Sequence, residues 1–265
     1  MEEDEFSFKI SYIEFFFLTQ MLSVDQIAGY SDPFRGYLMD EIEEEWEVTL
    51  PILIRKGYLI RNDTKGTYEV DGALALCIEV CGSNYAVRAT KHIDGLGDYE
   101  GFLFFTPELA VEWTDDGHGN MFICPVANAP LSIDVLYGLF PLNMSSEKKW
   151  IIELSQVTWR EWIVYSSEQM MNALLEEGCL PEAAEVICHC FLHAESSGSM
   201  EYWTRTGSYW NQESYHFVRI GDLAYLVSDT NMSSIRIQAF EPSIVKASLE
   251  CFADLFKVVK EGARS

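Results

Sequence analysis

Two segments of this 265-residue chain lie over each other without a gap. Residues 105–126 read FTPELAVEWTDDGHGNMFICPV, and residues 219–240 read RIGDLAYLVSDTNMSSIRIQAF, at an offset of 114. Leu109 falls on Leu223, Ala110 on Ala224, Asp115 on Asp229 and Ile123 on Ile237. In each copy an apolar strand reaches a polar turn and a second strand returns. Upstream, Lys56-Gly57-Tyr58-Leu59 is matched by Glu177-Gly178-Cys179-Leu180, each closing a helix-like segment. The shared order of elements is helices, then a sheet, then a closing helix. It predicts an α+β fold with a mainly antiparallel central sheet, flanking helices and two pseudo-symmetric halves, because the turns are too short to hold crossover helices. The halves are residues 1–140 and 150–265, joined by the polar connector 141–149 into one compact unit. Such a chain presents a groove or a paired surface more readily than a single catalytic pocket.

Within this frame, residues 7–22 read as an apolar helix, and Ser23-Val24-Asp25-Gln26 as the start of a short one. An acidic helix follows over about 38–48, then another over 48–57 that ends in Arg55-Lys56-Gly57, with basic residues in its last turn and Gly as its stop. Residues 58–70 form a wing-like hairpin, and Asp71 caps a helix at 72–81. Strands are expected near 85–89, 103–105 and 109–113, with Gly95, Gly97 and Gly101 as a flexible connection. Asp115-Asp116-Gly117-His118-Gly119-Asn120 is a hairpin turn before the strand at 121–124, and a helix near 131–140 closes the half. The second half opens with a helix or strand near 150–165, then helices at 166–177 and 181–194. Strands near 215–219, 223–227 and 235–240 and a last helix over 243–260 complete it. Residues 195–215, rich in Ser, Tyr and Trp, read as an aromatic loop.

Composition narrows the function. A net charge of −24 excludes a nucleic-acid binder, which needs Lys and Arg against phosphate, and opposes docking on anionic lipid. The N-terminal Met1-Glu2-Glu3-Asp4-Glu5 lacks the basic region of a signal peptide, and no stretch approaches a membrane span. Seven cysteines, an odd number, fit buried apolar roles in a reducing cytoplasm. A cytoplasmic protein without membrane insertion is expected.

No catalytic signature is present. The glycines at 95, 97 and 101 sit between strands rather than opening a helix, so they make no dinucleotide fingerprint. No Gly-x-Ser-x-Gly elbow occurs, and nothing singles out one Cys as a nucleophile. His189 and His193 stand four apart on a helix, as metal ligands can, but the Cys188–His193 segment matches no established zinc spacing. The Asp115–Asn120 turn is shorter than an EF-hand loop and lacks its closing Glu. The expectation is a non-enzyme with no catalytic residue, no metal and no cofactor. The aromatic segment supplies the candidate contact surface: Tyr202, Trp203, Arg205, Tyr209 and Trp210, residue types that dominate protein interfaces. Arg219 is expected to join Arg205 in hydrogen bonding a partner.

The chain resembles the EspG-like chaperones of type VII (ESX) secretion systems, including the EsaE-like chaperones. The resemblance rests on length, acidic character, the two-half layout, Leu53-Ile54-Arg55-Lys56-Gly57-Tyr58-Leu59, the helix at 72–81, and Gly221-Asp222-Leu223-Ala224-Tyr225 leading to a last amphipathic helix. It implies a central sheet with helical bundles related by a quasi-two-fold. It also implies a cytosolic chaperone or adaptor that keeps a helical substrate soluble and export-competent. The partner would be a helical secreted effector or toxin with its small helical partner. Two other classes stay open: an immunity protein that neutralises a toxin domain, and a metal-dependent or cysteine enzyme.

Overall fold

The computed structural model describes residues 7–62, 64, 66–127, 129–142, 150–162, 165–231 and 233–257. The Met1–Glu5 segment, most of the 141–149 connector, and Asp63, Lys65 and Met232 in two predicted turns lie outside the described residues.

The chain opens with a strand, β1 (Phe8–Ser11), and then the helix α1 (Tyr12–Leu22), where the sequence read as helix throughout. Ser11 makes the switch. Its hydroxyl accepts from the Glu14 N–H at 3.1 Å, and the Glu14 carboxylate accepts from the Ser11 N–H at 2.7 Å. This reciprocal cap satisfies backbone donors that the first helical turn leaves orphaned. Glu14 is buried and also takes Lys56 Nζ at 2.8 Å, which ties the β1–α1 junction to the next helix. The short helix expected from Ser23 does not form. Ser23 and Gln26 both have φ of 54°, a left-handed conformation that a helix cannot continue.

The two helices expected over 38–57 are one, α2 (Met39–Arg55), with Pro51 inside it at an exposed position. Gly57, at φ 75°, ends it. The Tyr58 N–H reaches Leu53 O at 2.9 Å and the Gly57 N–H reaches Ile54 O at 3.0 Å, a Schellman motif that a left-handed Gly makes inexpensive. The hairpin of β2 (Leu59–Asn62) and β3 (Thr67–Val70) follows as predicted, in a sheet of its own. The Asp71 carboxylate then caps α3 (Gly72–Cys81) through the N–H groups of Ala73 and Leu74, a contact worth about 1 kcal/mol.

The remaining strands join β1 in one antiparallel sheet. They are β4 (Tyr85–Ile93), β5 (Gly97–Phe105), β6 (Ala110–Asp115), β7 (Asn120–Ala127), β8 (Ile151–Ser155), β9 (Ser196–Thr206), β10 (Tyr209–Ile220), β11 (Leu223–Asn231) and β12 (Ser234–Ala239). Between and after them lie α4 (Ala129–Gly138), α5 (Gln156–Glu161), α6 (Ser167–Glu176), α7 (Pro181–Leu192) and α8 (Pro242–Lys257). Two expectations change here. Gly97 and Gly101 belong to a strand rather than a flexible connection. The segment 195–215, expected as an aromatic loop, instead forms most of the β9–β10 hairpin, the longest of the sheet.

The sheet order is β1-β7-β6-β5-β4-β9-β10-β11-β12-β8. Read from the central β4·β9 pair outward, each side runs through the same succession of hairpins to a short edge strand. The 114-residue offset is a true register. Trp113 pairs with Ile123, and Val227 pairs with Ile237; Asp115 pairs with Met121, and Asp229 with Ile235. An axis normal to the sheet, through the antiparallel pair Ala89 and Met200, relates the halves.

Burial follows the pleat. On one face α1, α2 and α3 cover Ala86, Phe104, Val111, Trp113, Met121 and Ile123. On the same face α5, α6 and α7 cover Leu154, Val218, Tyr225, Val227, Ile235 and Ile237. On the opposite face α4 and α8 share a core with Val87, Leu103, Phe105, Met200, Tyr202, Phe217 and Leu226. No helix among the described residues is long and apolar enough to cross a membrane.

Candidate functional site

Successive strand residues point to opposite faces, so the two helix clusters on the first face leave a strip between them. Arg88, Thr90 and His92 of β4 line it, with Ser199 and Glu201 of β9, Asp98 and Glu100 of β5, and Ser214 and His216 of β10. Most of these polar groups bond across strands. Arg88 Nη2 donates to Glu100 Oε1 at 2.6 Å, and Nη1 to Glu201 Oε1 at 3.4 Å. Thr90 and Ser199 share a hydroxyl bond at 2.8 Å, and His92 bonds Asp98. Ser214 Oγ donates to Asp229 Oδ2 at 2.5 Å. Burial opposes the Arg88 charge, but the bonded Glu100 and the nearby Glu201 outweigh it and hold the guanidinium above its ordinary range. The floor is ordered, half-exposed and charged.

Both banks are aromatic. On one, Phe102 and Trp203 meet edge to face at 6.0 Å, and Trp203 meets Trp210 at 6.0 Å. On the other, Trp159, Trp162, Tyr165, Met170, Phe191, Leu192 and His216 line a cavity of about 490 Å³. Trp159 and Trp162 lie 5.3 Å apart, and Phe191 stands edge-on to both. His216 lies 6.0 Å from Trp159. Its pKa is pushed down by burial, against the partial pull of Glu201 and Asp229. Among the described residues the buried Trp162 Nε1 has no hydrogen-bond partner.

The five candidate residues do not form one surface. Tyr202 is buried on the opposite face, stacked on Phe252 of α8 at 5.0 Å. Trp203 and Trp210 are half-buried beside the floor, and Tyr209 is 79% exposed at the hairpin tip. Arg205 is already engaged. It donates to Asn84 Oδ1 at 2.8 Å and to the carbonyls of Gly82 at 3.1 Å, Gln26 at 3.3 Å and Asp25 at 3.4 Å, and lies over the Trp210 ring. Arg219 Nε likewise donates within the chain, to Gly221 O. Strand alternation splits what had read as a contiguous loop. Sequence reasoning missed the aromatic cavity and the Arg88–Glu201 floor. The spacing of Trp159 and Trp162, nearly one helical turn, was the available signal.

No protein-family model matches the chain, and no curated protein matches it. The two-half antiparallel sheet with helices on both faces is the architecture of EspG-like secretion chaperones, and the fold expectation stands. Among solved structures the chain is similar to EspG5, the Mycobacterium tuberculosis type VII secretion system chaperone solved in complex with a PE25–PPE41 dimer. The TM-score is 0.59 at 10% identity, covering 94% of this chain and 96% of that one.

Proposed function

We propose that this protein is a cytosolic, non-enzymatic chaperone or adaptor that binds a helical type VII secretion substrate and keeps it export-competent. The observation that carries the reading is the strip between the two helix clusters, with its ordered polar floor and an aromatic cavity opening beside it. A helix tip laid on the floor would meet fixed charges and hydroxyls, while an apolar side chain enters the cavity. A carbonyl or hydroxyl of the partner would accept from Trp162 Nε1 and relieve an unpaired donor that costs about 1–3 kcal/mol. Trp203 and Trp210 form the opposite rim, with Arg205 over the Trp210 ring and Tyr202 anchoring β9 from below. The fold likeness to EspG5, a type VII secretion system chaperone solved in complex with a PE25–PPE41 dimer, supports a protein partner of that kind.

Site-specific photocrosslinking in the native host tests this. A benzophenone amino acid at Thr90 or His216 is expected to trap a secreted helical protein, while one at Ser248 on the opposite face is not. Crosslinks confined to Ser248 overturn the assigned face. A trapped toxin domain in place of a secretion substrate supports neutralisation instead.

A further inference from the structure

The outer face of α7 carries a histidine pair that partner binding leaves unused. His189 and His193 stand one helical turn apart with ring centroids 5.0 Å from each other, and both are exposed. The chain's three other histidines differ: His92 bonds Asp98, His118 sits in the turn between β6 and β7, and His216 is enclosed beside Trp159. Cys188, just before the pair, and Cys190, between its members, are buried in the core beneath the helix, so neither thiol reaches the outer face with the imidazoles.

Three physical terms favour a cation there. The i, i+4 spacing puts two imidazole nitrogen donors on one helix face with the backbone already fixed, so chelation orders little more than side chains. The pair lies at the C-terminal end of the helix, where the dipole and the last carbonyls attract positive charge. The net charge of −24 concentrates cations around the whole molecule. We propose that His189 and His193 form a surface site for a divalent d-block cation of the zinc or nickel type, for which imidazole is a preferred ligand. Among the described residues no group of three or more His, Cys, Asp or Glu is arranged to hold a metal. Water therefore completes the coordination, and the ion exchanges rather than staying locked in place. Phe191 and Leu192, between the two ligands in sequence, line the aromatic cavity, so a bound ion braces that wall from outside.

Calorimetric titration of the 265-residue chain with Zn²⁺, and separately with Ni²⁺, tests the site. About one ion per chain is expected, and His189→Gln or His193→Gln should each weaken binding roughly tenfold or more by removing the second arm of the chelate. A thermal melt should rise with metal for the parent chain and stay flat for the double variant. Both side chains are exposed, so circular dichroism of the variants should match the parent. Absence of binding by the parent chain, or binding undiminished in both variants, overturns the proposal. Neither result bears on the photocrosslinking test.

Discussion

At the residue scale, burial of the thiols makes a checkable claim about pH. Burial pushes Cys77, Cys188 and Cys190 each up from 9.0 to about 11. The unfolded chain loses these protons near the ordinary thiol value, while the folded chain holds them to the higher one. Their contribution to stability is complete below about pH 9 and is lost as pH rises through about 11. Tyr12 and Tyr215, pushed up to about 12 chiefly by burial, extend the same trend. Urea midpoints are expected to stay level on this account from about pH 7 to 8.5 and then fall steadily. A midpoint that rises above pH 9 would contradict the buried placement. The cysteine burial expected from the sequence holds for Cys77, Cys81, Cys188 and Cys190, whereas Cys251 is exposed. One residue type in one compartment takes both environments, and only the neighbours decide which.

At the scale of elements, β9 shows what propensity reasoning missed and why. MEYWTRT over residues 200–206 alternates, but both alternating sets contain aromatics. Met200 and Tyr202 go beneath α8, while Glu201, Trp203 and Arg205 go to the polar strip. A strand wetted on one face and aromatic on both lacks the clean apolar–polar period that marks a half-buried strand. The β6–β7 and β11–β12 hairpins, with one apolar face and polar turns, were legible from sequence for the same reason. The close approach at Gly198 supplies the test. A Cβ there would stand 2.5 Å from the Thr90 carbonyl oxygen across the central pair and 2.6 Å from the Phe217 ring. Gly198→Ala is expected to cost about 3 kcal/mol in a denaturant titration, through overpacking against backbone that cannot move without parting β4 from β9. Ser197→Ala, one residue away, should stay within about 1 kcal/mol.

At the scale of the molecule, the two similar halves share a core and a central strand pair. The core beneath α4 and α8 draws Val87, Leu103, Phe105 and Leu136 from the first half and Met200, Phe217, Leu249 and Phe252 from the second. Separating the halves also uncovers β4 and β9 along their paired edges, nine residues on each, and exposed edges of that length seek other strands. Residues 1–140 and 150–265 produced separately are expected to be insoluble, and co-expression should recover a soluble complex. Two soluble fragments with cooperative melts of their own would show that each core is self-sufficient. Antiparallel pairing, the duplicated hairpin and its register are local properties, written in turn residues and short-range alternation, and the sequence alone determined them. The face that each strand residue occupies was decided by the tertiary structure, because helices distant in the chain choose which side to cover. The polar strip belongs to that second class: Arg88 and Glu201, 113 positions apart, meet only once the two halves pair.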